Sequence, residues 1–171
     1  MAIRPILEYP DARLRKVAAP VERVDDEIRR LVEDMAETMY AAPGVGLAAP
    51  QLGVSLRVFV IDIADENEPA QFAAYINPEL IDTTGTQSWK EGCLSFPGVH
   101  ENVKRAERVR VRALGVDGNA FELDATGLLA VAIQHENDHL NGVLMIDKVG
   151  PLQRRRMGKK LSDRQRSPHA T

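Results

Sequence analysis

Three separate parts of the chain are predicted to be helices, and in the first of them apolar residues recur three and four positions apart, a spacing that predicts a helix with one buried face. The first part follows Asp25 and Asp26, either of which can cap a helix, and it stops before Pro43. The second begins with the almost entirely apolar run 127–133, which predicts a helix that passes through the core. The third opens at Pro151, a residue favoured in the first turn of a helix. Its apolar positions are Leu152, Met157 and Leu161.

Other stretches have the composition or the alternation of β-strands. Residues 108–113 alternate strictly between arginine and apolar residues, which predicts a strand with one solvated face and one buried face. The turn signal at 117–119 makes this strand a hairpin with 120–123. Further strands are predicted at 56–63, at 72–76 with Asn77-Pro78 as its end, and at 79–84. This order predicts an α+β fold in which antiparallel sheets pack around the central helix, with an N-terminal helix and a C-terminal helix.

The composition predicts one globular domain. The chain has 171 residues, of which 44% are hydrophobic and 27% are charged, and these values argue against a disordered protein. Its single cysteine excludes an intramolecular disulfide and fits a reducing cytosol. The first residues lack the apolar core of a signal peptide, and no apolar run has the length of a membrane span. We therefore expect a cytoplasmic protein that has neither a membrane nor DNA as a partner.

Positive charge is concentrated at the end of the chain. Residues 151–171 hold seven arginines and lysines against one aspartate, a net charge of +6, whereas the formal charge of the whole chain is −3. We expect residues 1–150 to form a single domain and residues 151–171 to form a basic C-terminal helix and tail of the same domain. The segment is either a solvated end or a surface that docks to an acidic partner.

The central predicted helix contains two histidines four residues apart, His135 and His139. This spacing places both imidazoles on one helix face, as two nitrogen ligands of a single divalent metal require. Glu136 directly follows the first histidine, where a carboxylate can take a proton from a metal-bound water. Asn141-Gly142 is typical of a helix C-cap, and the negative end of the helix dipole there favours a cation. The alternative is a pair of partly exposed surface histidines beside a solvated glutamate.

A catalytic metal site of this type needs a third protein ligand. Zinc endopeptidases with a similar helix take it from a downstream residue. Here Met145 stands where their third histidine would be, no glutamate follows position 136, and the only later histidine is His169. The third ligand must therefore lie upstream, and Cys93 is the best candidate. Considered alone, a single cysteine is ordinarily an inert buried thiol.

A stretch of small residues runs from Gly44 to Gln51. Its glycines allow positive φ and a close approach of the backbone to a ligand, and the Gln51 side chain has both a donor and an acceptor. The stretch lacks the Lys-Ser/Thr ending of a phosphate loop and the strand-to-helix context of a dinucleotide site. Taken alone, it predicts a turn.

Three stretches, GVGLAAPQ at 44–51, EGCLS at 91–95 and QHENDH at 134–139, occur in this order. Together they resemble the three signature motifs of the peptide deformylases. The resemblance extends over most of the chain, from Tyr9-Pro10-Asp11 to Asp147. The C-terminal helix and the lack of large insertions make the chain more similar to the Gram-negative, helix-tailed type of the family.

The resemblance implies an activity and a set of roles. The activity is hydrolysis of the N-terminal formyl group of formylmethionyl nascent polypeptides, with release of formate, by a metallohydrolase domain. The roles are metal ligation by Cys93, His135 and His139, proton transfer by Glu136, and stabilisation of the oxyanion by the Leu94 N–H and the Gln51 amide. The family implies Fe(II) in the cell, whereas the ligand chemistry alone favours zinc and admits Co(II) or Ni(II).

The substrate-binding residues are expected around the same helix face. Leu128, Val131 and Ala132 share that face with His135, which places an apolar pocket for the methionine side chain beside the metal. Core packing is the alternative explanation for Leu128 and Val131. His100 stands where some members of the family carry an arginine, so contacts beyond the first substrate residue stay open. The expected set is Val45, Gly46, Trp89, Glu91, His100, Leu128, Val131 and Ala132.

A non-catalytic binding module held together by a metal is the competing class. Such a module would explain the three ligands, and the basic end of the chain would be its docking surface. It would leave Glu136 and Gln51 without a task, and structural metal sites usually have four protein ligands rather than three. The basic segment is also expected to reach the ribosome, where formylated chains emerge.

Overall fold

The structure is a computed structural model that describes residues 2–166. Met1 and residues 167–171, which include His169 and the end of the predicted basic segment, lie outside the described residues. The helices are α1 (Asp26–Ala41), α2 (Gly127–Leu140) and α3 (Pro151–Arg166). The strands are β1 (Gly46–Ala48), β2 (Val58–Ile61), β3 (Ala73–Thr84), β4 (Gln87–Cys93), β5 (Phe96–Arg105), β6 (Arg108–Leu114) and β7 (Ala120–Thr126). Short 3₁₀ turns cover Ala12–Arg15, Ala49–Leu52 and Met145–Lys148.

The strands form two antiparallel sheets. The larger sheet has the order β1-β2-β3-β6-β7, and β4 pairs only with β5 in a separate two-stranded ribbon. The predicted hairpin of β6 and β7 is confirmed, with Arg108 opposite Thr126 and Leu114 opposite Ala120. The expected α+β fold of antiparallel sheets around a central helix, with a helix near each end of the chain, is confirmed as well.

Strand β2 lies between two apolar clusters, one on each face of the sheet. All four of its residues are buried. Val58 and Val60 join the cluster that contains α1, whereas Phe59 and Ile61 join the cluster that contains α2. Because helices cover both faces of the sheet here, the strand is a continuous apolar run instead of an alternating one.

Helix α1 begins as its sequence predicts. Asp25 is the N-cap residue, and its side chain accepts a hydrogen bond from the Ile28 N–H at 3.1 Å. Met35 and Met39 are fully buried against the sheet. They are core residues, and the helix ends just before Pro43.

The predicted break in the third strand is wrong. Strand β3 continues through Asn77-Pro78 to Thr84, with a shift of register at this point. Asn77 has a φ of 51°, in the left-handed region, and its side-chain amide bonds the N–H and the C=O of Val21, both at 2.8 Å. These two bonds hold the irregular backbone in place, so the chain remains in the sheet and one long strand replaces the two short ones.

Helix α3 packs against the β4–β5 ribbon. Met157 and Leu161 are buried with the apolar residues of β5, whereas Leu152, expected among the apolar positions, is 67% exposed. Glu101 of β5 accepts a charged hydrogen bond from Arg156 at 3.2 Å. No helix among residues 2–166 combines the length and the apolar composition that a membrane crossing requires.

Candidate active site

The C-terminal end of α2 is fixed by several contacts. The expected cap pair is confirmed: Asn141 is the C-cap residue, and Gly142 has a φ of 71°. A Cβ atom on Gly142 would clash with the Arg15 carbonyl oxygen, so only glycine fits against this backbone. Arg57 donates to the Leu140 carbonyl at 3.0 Å and to the Asn141 side chain at 3.0 Å. These contacts fix the position of the last turn of α2, and therefore the position of His139.

The three expected metal ligands lie together. One ligand atom from each of Cys93, His135 and His139 lies within 4.8 Å of the other two. The Cys93 Sγ atom is 3.4 Å from His139 Nε2. Two ligands bound to one tetrahedral ion at ordinary Zn–S and Zn–N distances are about 3.5 Å apart. The donor set and its spacing therefore fit a divalent ion.

Glu91, expected among the substrate-binding residues, makes several hydrogen bonds within the site. Its carboxylate is buried, where it accepts a hydrogen bond from His135 Nδ1 at 2.9 Å and two from Arg105 at 2.8 and 2.9 Å. Burial opposes ionisation, but these bonds outweigh it and hold the pKa of Glu91 below its usual value. The bond to Nδ1 leaves His135 Nε2 free to face the ligand cluster, because a histidine ligand needs its other nitrogen held in this way.

Arg105 was missed by the sequence analysis. It lies at the end of β5, is 6% exposed, and donates both to Glu91 and to the Asp138 carboxylate. Burial alone would lower its pKa, but the two carboxylates outweigh burial and raise it. Arg105 therefore connects the strand that carries Cys93 with the residue just before His139. The alternation along β5 places this arginine on the buried face, and that pattern could have revealed it.

Glu136 is a buried carboxylate in the same site. It is 5% exposed, and its Oε1 atom has no hydrogen-bond partner among residues 2–166. Burial raises its pKa to about 7. The other oxygen, Oε2, would be 2.5 Å from a Cβ atom on Gly46, so the absence of a side chain there makes room for the carboxylate. A carboxylate with a pKa near neutrality can both take and return a proton.

The pKa values of the two histidines are shifted in opposite directions. Burial lowers the pKa of His139 well below its ordinary value, which keeps this ring neutral. Burial acts in the same direction on His135, but the adjacent charges of Cys93 and Glu136 outweigh it and raise the pKa of His135 well above the ordinary value. A divalent ion would compete with a proton for His135, since only a neutral imidazole binds metal.

Gln51 is held next to the ligand cluster. Its side chain is buried, its Oε1 accepts from the Ala48 N–H at 2.9 Å, and its Nε2 lies 3.7 Å from Cys93 Sγ. Nε2 also donates to Ser95 Oγ at 3.0 Å, a contact that the sequence analysis did not foresee. The stretch expected as a turn forms β1 and the 3₁₀ turn that follows, and it closes on Leu94, whose side chain approaches Gly44.

A cavity of about 320 Å³ opens from the ligand cluster to the surface. Its apolar wall comes from α2, and its mouth carries Val45 and Trp89, which are 46% and 39% exposed. The expected substrate-binding residues therefore all line this one cavity. Those that line it are Val45, Gly46, Trp89, Glu91, His100, Leu128, Val131 and Ala132, together with Gln51, Cys93, Leu94, His135 and Glu136.

Comparisons with known proteins give one consistent family. Residues 3–155 match the family model described as polypeptide deformylase. A peptide deformylase of Azotobacter vinelandii is 56% identical over 168 residues, which is 97% of this chain and 98% of that protein. Peptide deformylase 1 of Burkholderia multivorans is 54% identical, over 98% of this chain and 92% of that protein. The crystal structure of a peptide deformylase from Legionella pneumophila superposes with a TM-score of 0.92 at 48% identity, covering 99% of each chain.

Proposed function

This chain belongs to the polypeptide deformylase family, and we propose that its cleft removes the formyl group from nascent polypeptides that begin with formylmethionine. The observation that best supports this proposal is the buried Glu136 carboxylate, which lies beside a cluster of one cysteine and two histidines at the inner end of an open cavity. The products are formate and a free N-terminal amine.

Cys93, His135 and His139 would hold the divalent ion. When bound, such an ion supplies Lewis-acid chemistry and makes hydroxide available near neutral pH. One thiolate and two imidazoles suit zinc and also admit Co(II), Ni(II) and Fe(II), of which we propose Fe(II) for the cell. Glu91 holds the ring of His135, so it acts as a positioning residue.

The remaining residues of the site transfer protons and stabilise the negative charge that develops during the reaction. Glu136 takes a proton from the attacking water and passes one to the leaving amine. The Gln51 amide and the Leu94 N–H stabilise the oxyanion that develops on the formyl oxygen, since both residues line the cavity beside Cys93. Removing one donor of this kind costs about two to three powers of ten in rate.

The methionine side chain would enter the apolar part of the cavity. Leu128, Val131 and Ala132 line it from α2, with Trp89 and Val45 at the mouth. Strand β1 is at the edge of its sheet, so the backbone of Gly46 is free to pair with an extended peptide. Added strands of this type gain main-chain hydrogen bonds and leave alternate side chains for pockets.

The test compares formyl-Met-Ala-Ser with acetyl-Met-Ala-Ser. A formyl carbon carries only hydrogen, whereas an acetyl methyl must fit between Gln51, Leu94 and Cys93. Overpacking by a methyl costs about 1–3 kcal/mol, so formate release should be about tenfold to a hundredfold faster than acetate release. Comparable rates, or cleavage inside casein, would instead indicate a general protease.

The basic segment 151–171 suggests that the enzyme acts at the ribosome. Among its described side chains, Arg154, Arg155, Arg156, Lys159, Lys160 and Arg164 are exposed on α3. We propose that they hold the cytoplasmic enzyme to ribosomal RNA, next to emerging substrate, by sequence-independent attraction that salt weakens. Residues 1–150 would carry the chemistry.

Replacing Arg155, Lys159 and Lys160 with serine should weaken co-sedimentation with ribosomes at low salt. These side chains are exposed, so cleavage of a short formyl peptide should stay nearly unchanged. Replacing Arg110 and Arg112 on the exposed face of β6 with serine is the control, because it removes charge elsewhere. Equal co-sedimentation of all three proteins would exclude the role of α3.

A further inference from the structure

The mouth of the cleft carries a positive charge that the proposed chemistry does not use. Lys90 of β4 lines the catalytic cavity, and its side chain is exposed. No ion pair of Lys90 occurs within the part of the chain that the structure describes. A cation at this position can still pair with whatever enters the cleft.

Lys90 and His100 are neighbours on one face of the β4–β5 ribbon. Lys90 pairs with Asn102, and Gly92 pairs with His100, so Lys90 and His100 are diagonal neighbours across the two strands. The His100 ring lies over Gly92, where a Cβ atom would meet its Cδ2 and Nε2 at 2.8 Å. The missing side chain thus leaves room for the imidazole, which lines the cavity and can donate a hydrogen bond there.

The other charges that line the cavity do not cancel Lys90. Glu91 is buried and already matched by two hydrogen bonds from Arg105. Glu136 lies at the inner end of the cavity, beside the ligand cluster. The mouth on the ribbon side is therefore electropositive, with Lys90 as its charge and His100 as a second donor.

We propose that Lys90, assisted by His100, makes this enzyme favour formylated peptides that carry aspartate or glutamate at the second or third residue. This inference rests on the proposed function. A peptide with its formyl group at the ligand cluster and its methionine in the apolar pocket must leave through the mouth. An extended chain advances about 3.3 Å per residue, and the flexible lysine side chain is longer than one such step, so it can meet either residue.

An acidic group lies on the other side of the mouth and acts in the opposite sense. Asp65, Glu66 and Glu68 line a neighbouring cavity that shares Pro43–Val45 with the catalytic one. They do not line the catalytic cavity itself, whereas Lys90 does, so Lys90 is the charge that faces a peptide inside that cavity. A preference for basic residues would show that the acidic side dominates.

The experiment measures kcat/KM for formate release from peptides that differ only in charge. The series is formyl-Met-Ala-Ser, formyl-Met-Asp-Ser, formyl-Met-Lys-Ser, formyl-Met-Ala-Asp and formyl-Met-Ala-Lys, assayed with wild type, Lys90→Glu and Lys104→Glu. Lys104 is the matched control because it lies on the same ribbon face but lines a different cavity. Each value is divided by that of formyl-Met-Ala-Ser for the same variant.

The wild type should prefer the acidic peptide over the basic one by about two- to fivefold, the range of a solvent-exposed ion pair. Lys90→Glu should invert the preference, Lys104→Glu should keep it, and about 1 M salt should abolish it. Equal ratios in wild type, or an inversion by Lys104→Glu as well, would overturn the inference. If wild type releases no formate even from formyl-Met-Ala-Ser, the proposed function fails instead.

Discussion

Gly46 and Glu136 are so close that a single methyl group between them should disturb catalysis. The Cβ of Gly46→Ala would lie 2.5 Å from Glu136 Oε2, so the carboxylate must move. A displacement of about 1 Å in a catalytic group can cost about a hundredfold in rate, and we expect kcat/KM for a formyl peptide to fall by about tenfold to a hundredfold. The measurement is formate release, with circular dichroism to show that the fold is retained.

Gly158→Ala is the control for this substitution. A Cβ atom at Gly158 in α3 meets nothing within 4 Å among the described residues. It should leave activity unchanged and stabilise the helix by up to about 1 kcal/mol. Full activity in Gly46→Ala would show that Glu136 does not need its present position.

Glu136 and Cys93 are assigned different roles, and two substitutions separate them. Glu136→Gln should retain its metal but lose about two to four powers of ten in turnover, because an amide cannot accept the proton. Cys93→Ala should lose metal affinity and some stability, since metal binding contributes to the folding free energy. Metal analysis of both purified variants, beside a formate assay, checks the assignment. A metal-free Glu136→Gln and a fully loaded Cys93→Ala would reverse it.

At the scale of secondary-structure elements, Arg105 joins the β4–β5 ribbon to α2. Arg105→Met would leave the carboxylates of Glu91 and Asp138 without their shared cation, and breaking a buried ion pair in this way costs about 3–5 kcal/mol. We expect a loss of that size in the free energy of unfolding. Arg112→Met is the control, because its pair with Glu122 is half exposed and contributes at most about 1 kcal/mol. Similar losses in both variants would contradict the structural role of Arg105.

The elements that the sequence predicted correctly carry strong local patterns. The two histidines were placed on one helix face because helical spacing alone determines that neighbourhood. The ribbon of β4 and β5 was not foreseen as a unit, since its pairing depends on a partner strand and not on its own pattern. For the same reason the hydrogen bonds of Glu91 with Arg105 and His135 were not foreseen.

At the scale of the whole molecule, the basic segment contributes to the fold as well as to the charge. Truncation after Gly150 would remove Met157 and Leu161, which are 0% and 7% exposed. Burying such a side chain contributes about 1.5–3 kcal/mol, so the truncated chain should lose several kcal/mol in its free energy of unfolding. Denaturant unfolding is the measurement, and Leu152→Ser, at a position that is 67% exposed, should change stability by no more than about 0.5 kcal/mol. An unchanged midpoint after truncation would show that α3 is dispensable.

The sequence showed the charge of this segment but not its packing. Its three apolar positions look equivalent in the sequence, yet only two of them face β5. Which face of a short helix is buried depends on the surface against which the helix packs. Here that surface belongs to β5, and β5 was not predicted. Charge substitutions on the exposed face are therefore a cleaner test of ribosome binding than a truncation.

Trp89 has a consequence for how this protein can be observed. It is the only tryptophan in the 171 residues, and it lies, 39% exposed, at the mouth of the catalytic cavity. When tryptophan is excited selectively, almost all of the protein's fluorescence therefore comes from Trp89, at the mouth through which substrate must pass. A peptide that covers the indole shifts its emission to shorter wavelength, so each turnover can be followed in a stopped-flow instrument without a label.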